Sequence, residues 1–245
     1  MSEILLVAPV PTHPSTTGAS ARIRYMADAL RSLGHEVHFL HLQQPLWVSE
    51  QALRQYWGDR LHAFRGRTPA SWAGRARRKL LRVTAKTFHL NLPVDSYFDP
   101  AAARFLGGVL AGKSFGAVIV SYVFYSRLLE SVPGPTLRLL DTHDVFADRY
   151  SLYREHGQAN EFFSTSRAGE GKALDRADRV IAIQEADARH FRELTRAPVT
   201  VVGHLAPPVA ASPAGPGEES ALLFVGGPMG INVHGMTWFV SRVLP

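Results

Sequence analysis

Short apolar runs alternate along this chain with longer stretches in which apolar residues return every three or four positions. Ile4 to Val10 (ILLVAPV) is the first run, and after a Gly/Ser/Thr loop Ile23, Met26, Ala27, Leu30 and Leu33 recur at helical spacing. The pattern predicts a strand followed by a helix with one buried face. Ser20 is the expected N-cap, and Gly34 stands where the helix stops. Glu36 to Leu42 alternates as a strand, Ser49 to Trp57 reads as a helix, and another helix is expected over about residues 74–88. Asp99 and Pro100 make an N-cap and N1 pair for a helix reaching about Ala111. FGAVIVSY (115–122), TLRLLD (136–141), DRVIAI (178–183) and VTVVG (199–203) read as buried strands, with helical stretches near 146–155, 162–177 and 185–195. Strands alternating with helices predict an α/β fold, a doubly wound, mostly parallel, Rossmann-like sheet covered on both faces.

The same opening occurs twice. ALLFVGGPMGINVHGMTWFVSRVLP (221–245) again runs apolar strand, Gly-Gly loop and helix, so it is expected to begin a second Rossmann-like domain. Before it, residues 206–220 (APPVAASPAGPGEES) are rich in Pro, Ala and Gly without periodicity, as a linker is. The expected division is a first domain over 1–205, a linker over 206–220 and the start of a second domain over 221–245. In an open α/β sheet ligands sit where strands end, and a helix N-terminus there offers free N–H groups to a phosphate. Two such units in tandem predict a cleft between domains. The tail helix carries Met236, Trp238, Phe239, Val243 and Leu244, and residues 221–245 are expected to pack on the first domain, to pair with another chain or to be poorly ordered.

Composition excludes several classes. The 245 residues are 46% apolar with mean hydropathy −0.05, values of an ordinary globular protein with a sizeable core. No apolar run approaches the ~18–20 residues that span a bilayer, and no basic-then-apolar leader opens the chain, so the cytoplasm is the expected compartment. Zero cysteines rule out disulfides, thiolate metal sites and a thiol nucleophile. The net charge of +6 is unevenly spread: Arg60, Arg65, Arg67, Arg75, Arg77, Arg78, Lys79, Arg82 and Lys86 face only Asp59 at the edge of the stretch. Trp72, Leu80, Leu81, Val83 and Phe88 interleave with these charges. Residues 60–86 therefore read as a face for an anionic membrane or a phosphate-bearing acceptor, or as a solvated helix with an apolar underside; nucleic acid is not the expected partner.

Three stretches carry a family resemblance. VAPVPTHPSTTGASARIRYMADALRSLGHEV (7–37), LLDTHDVFADRY (139–150) with EGKALDRADRVIAIQEAD (170–187), and residues 221–245, in that order, resemble the retaining glycosyltransferases of the two-domain GT-B type, family 4. The resemblance implies a nucleotide sugar held mainly by the C-terminal domain, a glycan or lipid-linked acceptor held mainly by the N-terminal domain, and transfer across the cleft in a metal-free site without a further cofactor. Gly18, Ala19 and Ser20 stand where the family has its N-domain glycine-rich loop, with one glycine where many members have two. Arg22 and Asp144 are grouped with them as substrate or donor contacts. His143, at the end of an apolar strand, is similar to the family's histidine beside the transferred sugar, with hydrogen bonding and positioning as its implied work. Asp144 or Asp141 could orient its ring or cap the next helix. Gly226, Gly227 and Asn232 match the opening loop of the donor domain. That loop lacks a basic residue between Gly226 and Gly235, which implies an acceptor half with little catalytic power of its own. The rival is a non-catalytic binding or assembly module.

Other motifs compete. GGVLAGKS (Gly107–Ser114) satisfies the phosphate-loop pattern, yet that mechanism needs a strand before the loop and a helix after it, and here the order is reversed. Of eleven histidines, His35, His38 and His41 share one strand but cannot converge on a metal, since alternate residues face opposite sides; they read as edge or surface residues. No Gly-x-Ser-x-Gly elbow occurs, and no G-x-G-x-x-G follows the first strand.

Overall fold

The computed structural model describes residues 2–43, 50–66, 72–206, 222–227 and 229–244, without the side chains of residues 43 and 72–78. Among them, seven strands form one parallel sheet: β1 Glu3–Ala8, β2 Glu36–Gln43, β3 Leu61–Arg65, β4 Phe115–Ser121, β5 Leu137–Asp141, β6 Arg179–Ala182 and β7 Val199–Val201, in the order β3-β2-β1-β4-β5-β6-β7. Strand side chains alternate between two cores. Ile4, Leu6, Ala8, Val37, Phe39 and Ile119 face one side, covered by helices α1 (Gly18–Ser32) and α2 (Glu50–Trp57) through Ile23, Met26, Leu53 and Trp57. Leu5, Val7, Leu40, Val118, Val120, Leu140 and Val180 face the other. There α4 (Pro100–Ala111), α6 (Arg167–Leu174) and α7 (Glu185–Arg192) contribute Leu106, Leu174 and Phe191. Burial on both faces explains why these strands read as apolar runs. Helices α3 (Trp72–Thr87), α5 (Arg149–Glu155) and α8 (Gly230–Arg242) complete the fold.

The chain winds outward from β1 to β3 and then crosses back to place β4 on the opposite side of β1. The winding reverses between β1 and β4, and the crevice at the carboxyl ends of these strands is where an open α/β sheet receives ligands.

Several boundaries differ from the sequence reading. Thr17, not Ser20, caps α1: the Ser20 N–H donates to Thr17 Oγ1 (3.1 Å) and the Thr17 N–H donates to Ser20 Oγ (2.9 Å), a reciprocal capping box. Strand β3 was hidden between Arg60 and Arg65 and exists through its pairing with β2. The helix expected over 162–177 shortens to α6 because Thr165 pairs with the segment ahead of α5: its N–H donates to Phe146 O (2.9 Å) and its carbonyl accepts from the Asp148 N–H (2.7 Å). Residues 222–227 form no strand; a strand exists by pairing, and none of the seven pairs with them. The expected linker, apart from Ala206, lies outside the described residues, as do Arg67 and the side chains of Trp72, Arg75, Arg77 and Arg78.

Helix before and strand after Gly107–Ser114, the order that argues against a phosphate loop, is what the structure shows. Gly107 to Ala111 are the last residues of α4, and Lys113 sits before β4, 3.7 Å from the Glu3 carboxylate and 3.5 Å from His38 Nε2. No helix follows to aim N–H groups at a phosphate.

His38 and His41 are also not surface residues. Both are buried, on opposite faces of β2, and His38 Nδ1 lies 3.2 Å from His62 Nε2. Burial and the Lys113 charge push His38 below its ordinary value of 6.5 despite the raising influence of Glu36 and Glu3. Burial, His38 and Lys113 lower His62, and burial lowers His41. Histidines kept neutral in the folded state leave the unfolded chain binding more protons, so their contribution is complete above 6.5 and is lost as pH falls through it. Glu170, raised chiefly by burial, acts in the opposite sense, but as one group against four, since burial lowers His13 as well. Thermal melts should therefore show lower stability at about pH 5.5 than at about pH 7.5, and His62→Gln should flatten the difference. A profile unchanged by His62→Gln would remove this pair as its source.

Candidate functional site

The crevice is built from three strand ends and one helix start. The loop from β1 to α1 is pinned from the side: the Trp57 indole N–H donates to Thr12 Oγ1 (2.7 Å), and the His13 ring stacks on Tyr56. This holds the first turn of α1 against the sheet edge. Within that turn the Ser20 N–H is taken by Thr17, whereas the Gly18 and Ala19 N–H groups have no acceptor among the described residues. Gly18 is not at positive φ, and a Cβ added there would meet nothing within 4 Å. The turn itself does not need glycine, so the open space is available to a ligand.

One turn further, Arg22 points inward rather than toward a ligand. Its Nη2 donates to Asp141 Oδ1 (2.7 Å), its Nε to Oδ2 (3.0 Å), and its Nη1 to the carbonyls of Val202 (2.9 Å) and Gly203 (3.0 Å). Both partners of this ion pair are buried. The pair ties the start of α1, the end of β5 and the segment after β7 into one rim. Arg22, expected to touch substrate, is in this structure a brace for the site.

Asp141 also faces His143, whose Nε2 lies 3.1 Å from Oδ2 but out of line for a good hydrogen bond. Burial by itself would raise the Asp141 carboxyl; its interactions with His143 and with the Arg22 guanidinium outweigh it and hold the group below the ordinary carboxylate range. The carboxylate favours a proton on Nε2, leaving Nδ1, which takes no partner among the described residues, to accept a hydrogen bond. His143 is 5% exposed, stacks on Tyr122 (4.2 Å between centroids) and has φ +64°; Tyr122 itself has φ +73°. Two non-glycine residues in the left-handed region, at adjacent strand ends, are costly enough to need support from their surroundings. Burial, then the Asp144 and Asp141 charges, pushes the Tyr122 phenol well up.

Asp144 faces outward, 3.5 Å from Arg149 Nη1, and does not cap α5. It lies on a cleft of about 440 Å³ between α5 and α8 whose lining includes Val145, Arg149, Tyr153, Ile231 and His234. Gly226, Gly227 and Asn232 belong to a small turn where Asn232 Nδ2 donates to Gly227 O (2.9 Å). A Cβ at Gly226 would come within 2.7 Å of the Phe224 ring. The structure thus gathers Gly18, Ala19, Ser20, Arg22 and His143 on one rim, with Asp144 on the adjoining cleft.

Sequence reasoning missed Tyr122 and Glu170. Buried Glu170 accepts from the Phe146 N–H (2.7 Å) and lies 2.9 Å from His190 Nε2, holding the loop that carries His143. A carboxylate among apolar positions of α6 is its only signal in the sequence. Among the described residues no group of three or more His, Asp or Glu is arranged for a metal ion, and no helix is long and apolar enough to cross a membrane.

Residues 17–204 match the model of the glycosyl transferase 4-like domain. No curated protein matches the chain significantly. Among solved structures, sucrose-phosphate synthase from Thermosynechococcus elongatus is similar at 15% identity over 83% of this chain and 48% of its own, with a TM-score of 0.49. A UDP-glucosyltransferase from Polygonum tinctorium is similar at 11% identity over 86% of this chain and 55% of its own, with a TM-score of 0.46. The chain spans about half the length of these structures. With the family match covering most of its length and a parallel sheet wound about a β1/β4 crevice, the chain belongs to the glycosyl transferase 4-like domain family.

Proposed function

We propose that this chain is the acceptor-side half of a retaining glycosyltransferase that moves a sugar from a nucleotide-sugar donor to a glycan or lipid-linked acceptor. The observation that carries the reading is the braced histidine: His143, backed by Asp141, leaves Nδ1 open at the end of β5, and Arg22 ties that strand end to the start of α1, where the Gly18 and Ala19 N–H groups have no acceptor among the described residues. An imidazole nitrogen there accepts a hydrogen bond from a sugar hydroxyl. The N–H pair at the start of α1 stabilises negative charge on a leaving diphosphate, where preorganised donors count most. The cleft beside Asp144 and Arg149, with Val145, Leu152 and Ile231 as apolar wall, suits an acceptor with an apolar part next to a polar one. Residues 222–244 supply the opening loop and helix of a donor domain, and strong donor binding requires the rest of such a domain.

Calorimetric titration with UDP-glucose and related nucleotide sugars tests this. Weak or undetectable heat from the chain, recovered when a donor domain is appended after residue 245, is the expected result. If the extended chain neither binds a nucleotide sugar nor transfers one, the transferase reading fails and a recruitment module takes its place. Gly18→Ala sharpens the test, because alanine in the first turn of α1 should leave stability unchanged or raise it by about 0.4–1 kcal/mol. The same change should weaken donor binding by filling the open space. Unaltered affinity would mean that no ligand approaches Gly18.

A further inference from the structure

We propose that α3 and the residues just after it form a docking face for an anionic lipid bilayer. From Arg60 to Val94 the chain holds nine Lys and Arg residues and no carboxylate. Structure decides how that charge is displayed. Of the α3 side chains from Lys79 onward, only Ala85 is buried; Arg82 turns in over the Tyr97 ring at 4.2 Å. Leu80 and Val83, on the side opposite Ala85, are 66% and 53% exposed, and Lys79 and Lys86 flank them. Among the described residues neither lysine pairs with a carboxylate.

The apolar surface continues past the helix. Phe88 is 66% exposed and Leu90 is exposed too. Exposed Phe162 belongs to the segment stitched to the end of α3, where Asn160 Nδ2 donates to Lys86 O (2.6 Å) and His89 Nδ1 lies 3.0 Å from Asn160 Oδ1. Exposed aliphatic and aromatic side chains bordered by unpaired lysines, with no acid between Arg60 and Val94 and with Glu161 and Asp148 only on the stitched segment side, match an interface that is apolar inside and anionic at its surface. A globular partner would have to present that same combination; a bilayer containing anionic lipid does so everywhere. The stitched segment follows α5, one wall of the Asp144 cleft, so docking brings that cleft towards the membrane and selects the lipid-linked acceptor; that last link rests on the proposed function, whereas the docking does not.

Sedimentation of the full chain with vesicles is the test, with no donor or acceptor present. Binding is expected to phosphatidylcholine vesicles doped with phosphatidylglycerol and not to phosphatidylcholine alone. Lys79→Gln with Lys86→Gln should lower the partition coefficient about 30-fold, and Leu80→Ser with Val83→Ser and Phe88→Ser at least about tenfold, with circular dichroism unchanged. Loss in both variants supports the proposal. Binding that ignores the apolar substitutions and vanishes in high salt overturns it in favour of adsorption by charge alone. Absence of vesicle binding overturns it too, and a dimer in ultracentrifugation that the apolar substitutions dissolve would then assign the face to a second copy.

Discussion

Replacing Arg22 with methionine should lower the unfolding free energy by about 3–5 kcal/mol, the largest stability loss expected from one change at this site. The guanidinium reaches Asp141 and two backbone carbonyls from a position with almost no contact with water. Methionine keeps much of the volume but strands the Asp141 carboxylate in the interior, where water no longer solvates it. The Val202 and Gly203 carbonyls lose their donor as well. Removing Asp141 together with Arg22, as Arg22→Met with Asp141→Leu, should cost less than Arg22→Met alone, because no buried charge then remains unpaired. Urea denaturation of the two variants measures both quantities. A loss below about 1 kcal/mol for Arg22→Met would show the pair to be dispensable and would leave His143 without its brace.

His143→Asn should reduce sugar transfer by about 10²–10⁴-fold in the chain extended with a donor domain, a range typical for a positioned hydrogen-bonding or proton-accepting side chain. Asparagine is chosen because it tolerates the left-handed backbone found at φ +64°. The substitution therefore removes the ring and Nδ1 without forcing the loop to rearrange. Its stability cost should stay near about 1 kcal/mol, the worth of the lost stacking on Tyr122. Full turnover in the asparagine variant would exclude His143 from the reaction. A collapse of stability alongside activity would instead make it a structural residue, which the melting curves distinguish.

Much of the architecture was legible because it rests on local regularities. Apolar runs at β1, β4 and β5 and the stripe Ile23, Met26, Ala27 in α1 register as strand and helix since period and burial are linked within a few residues. The placing of Gly18 at the start of α1 and of His143 just past β5 was legible because each directly adjoins an apolar run or a helical stripe. Other assignments failed for identifiable reasons. Thr17 rather than Ser20 caps α1 because both hydroxyls suit the role and only the reciprocal bonds choose between them. Residues 222–227 are apolar enough for a strand, but pairing needs a neighbour. Gly107–Ser114 is the converse case: it matches a phosphate loop letter by letter, but the helix before it and the strand after it, both legible in the sequence, exclude that mechanism.

The order of residues along the chain was enough to set most of the elements, their alternation and the parallel sheet that follows, since each depends on side-chain spacing and on the short reach of the backbone. Which groups meet in the crevice was decided only by folding. Arg22 and Asp141 lie 119 positions apart, and nothing local to either signals that one becomes the other's counterion. Their contact arises because α1 packs on the sheet with its first turn over the ends of the strands, and a buried charge persists there only where the packing delivers its partner. The same holds for His143, whose letter suggested chemistry, while its orientation, its left-handed backbone and its free nitrogen come from Tyr122 and Asp141 on neighbouring strands.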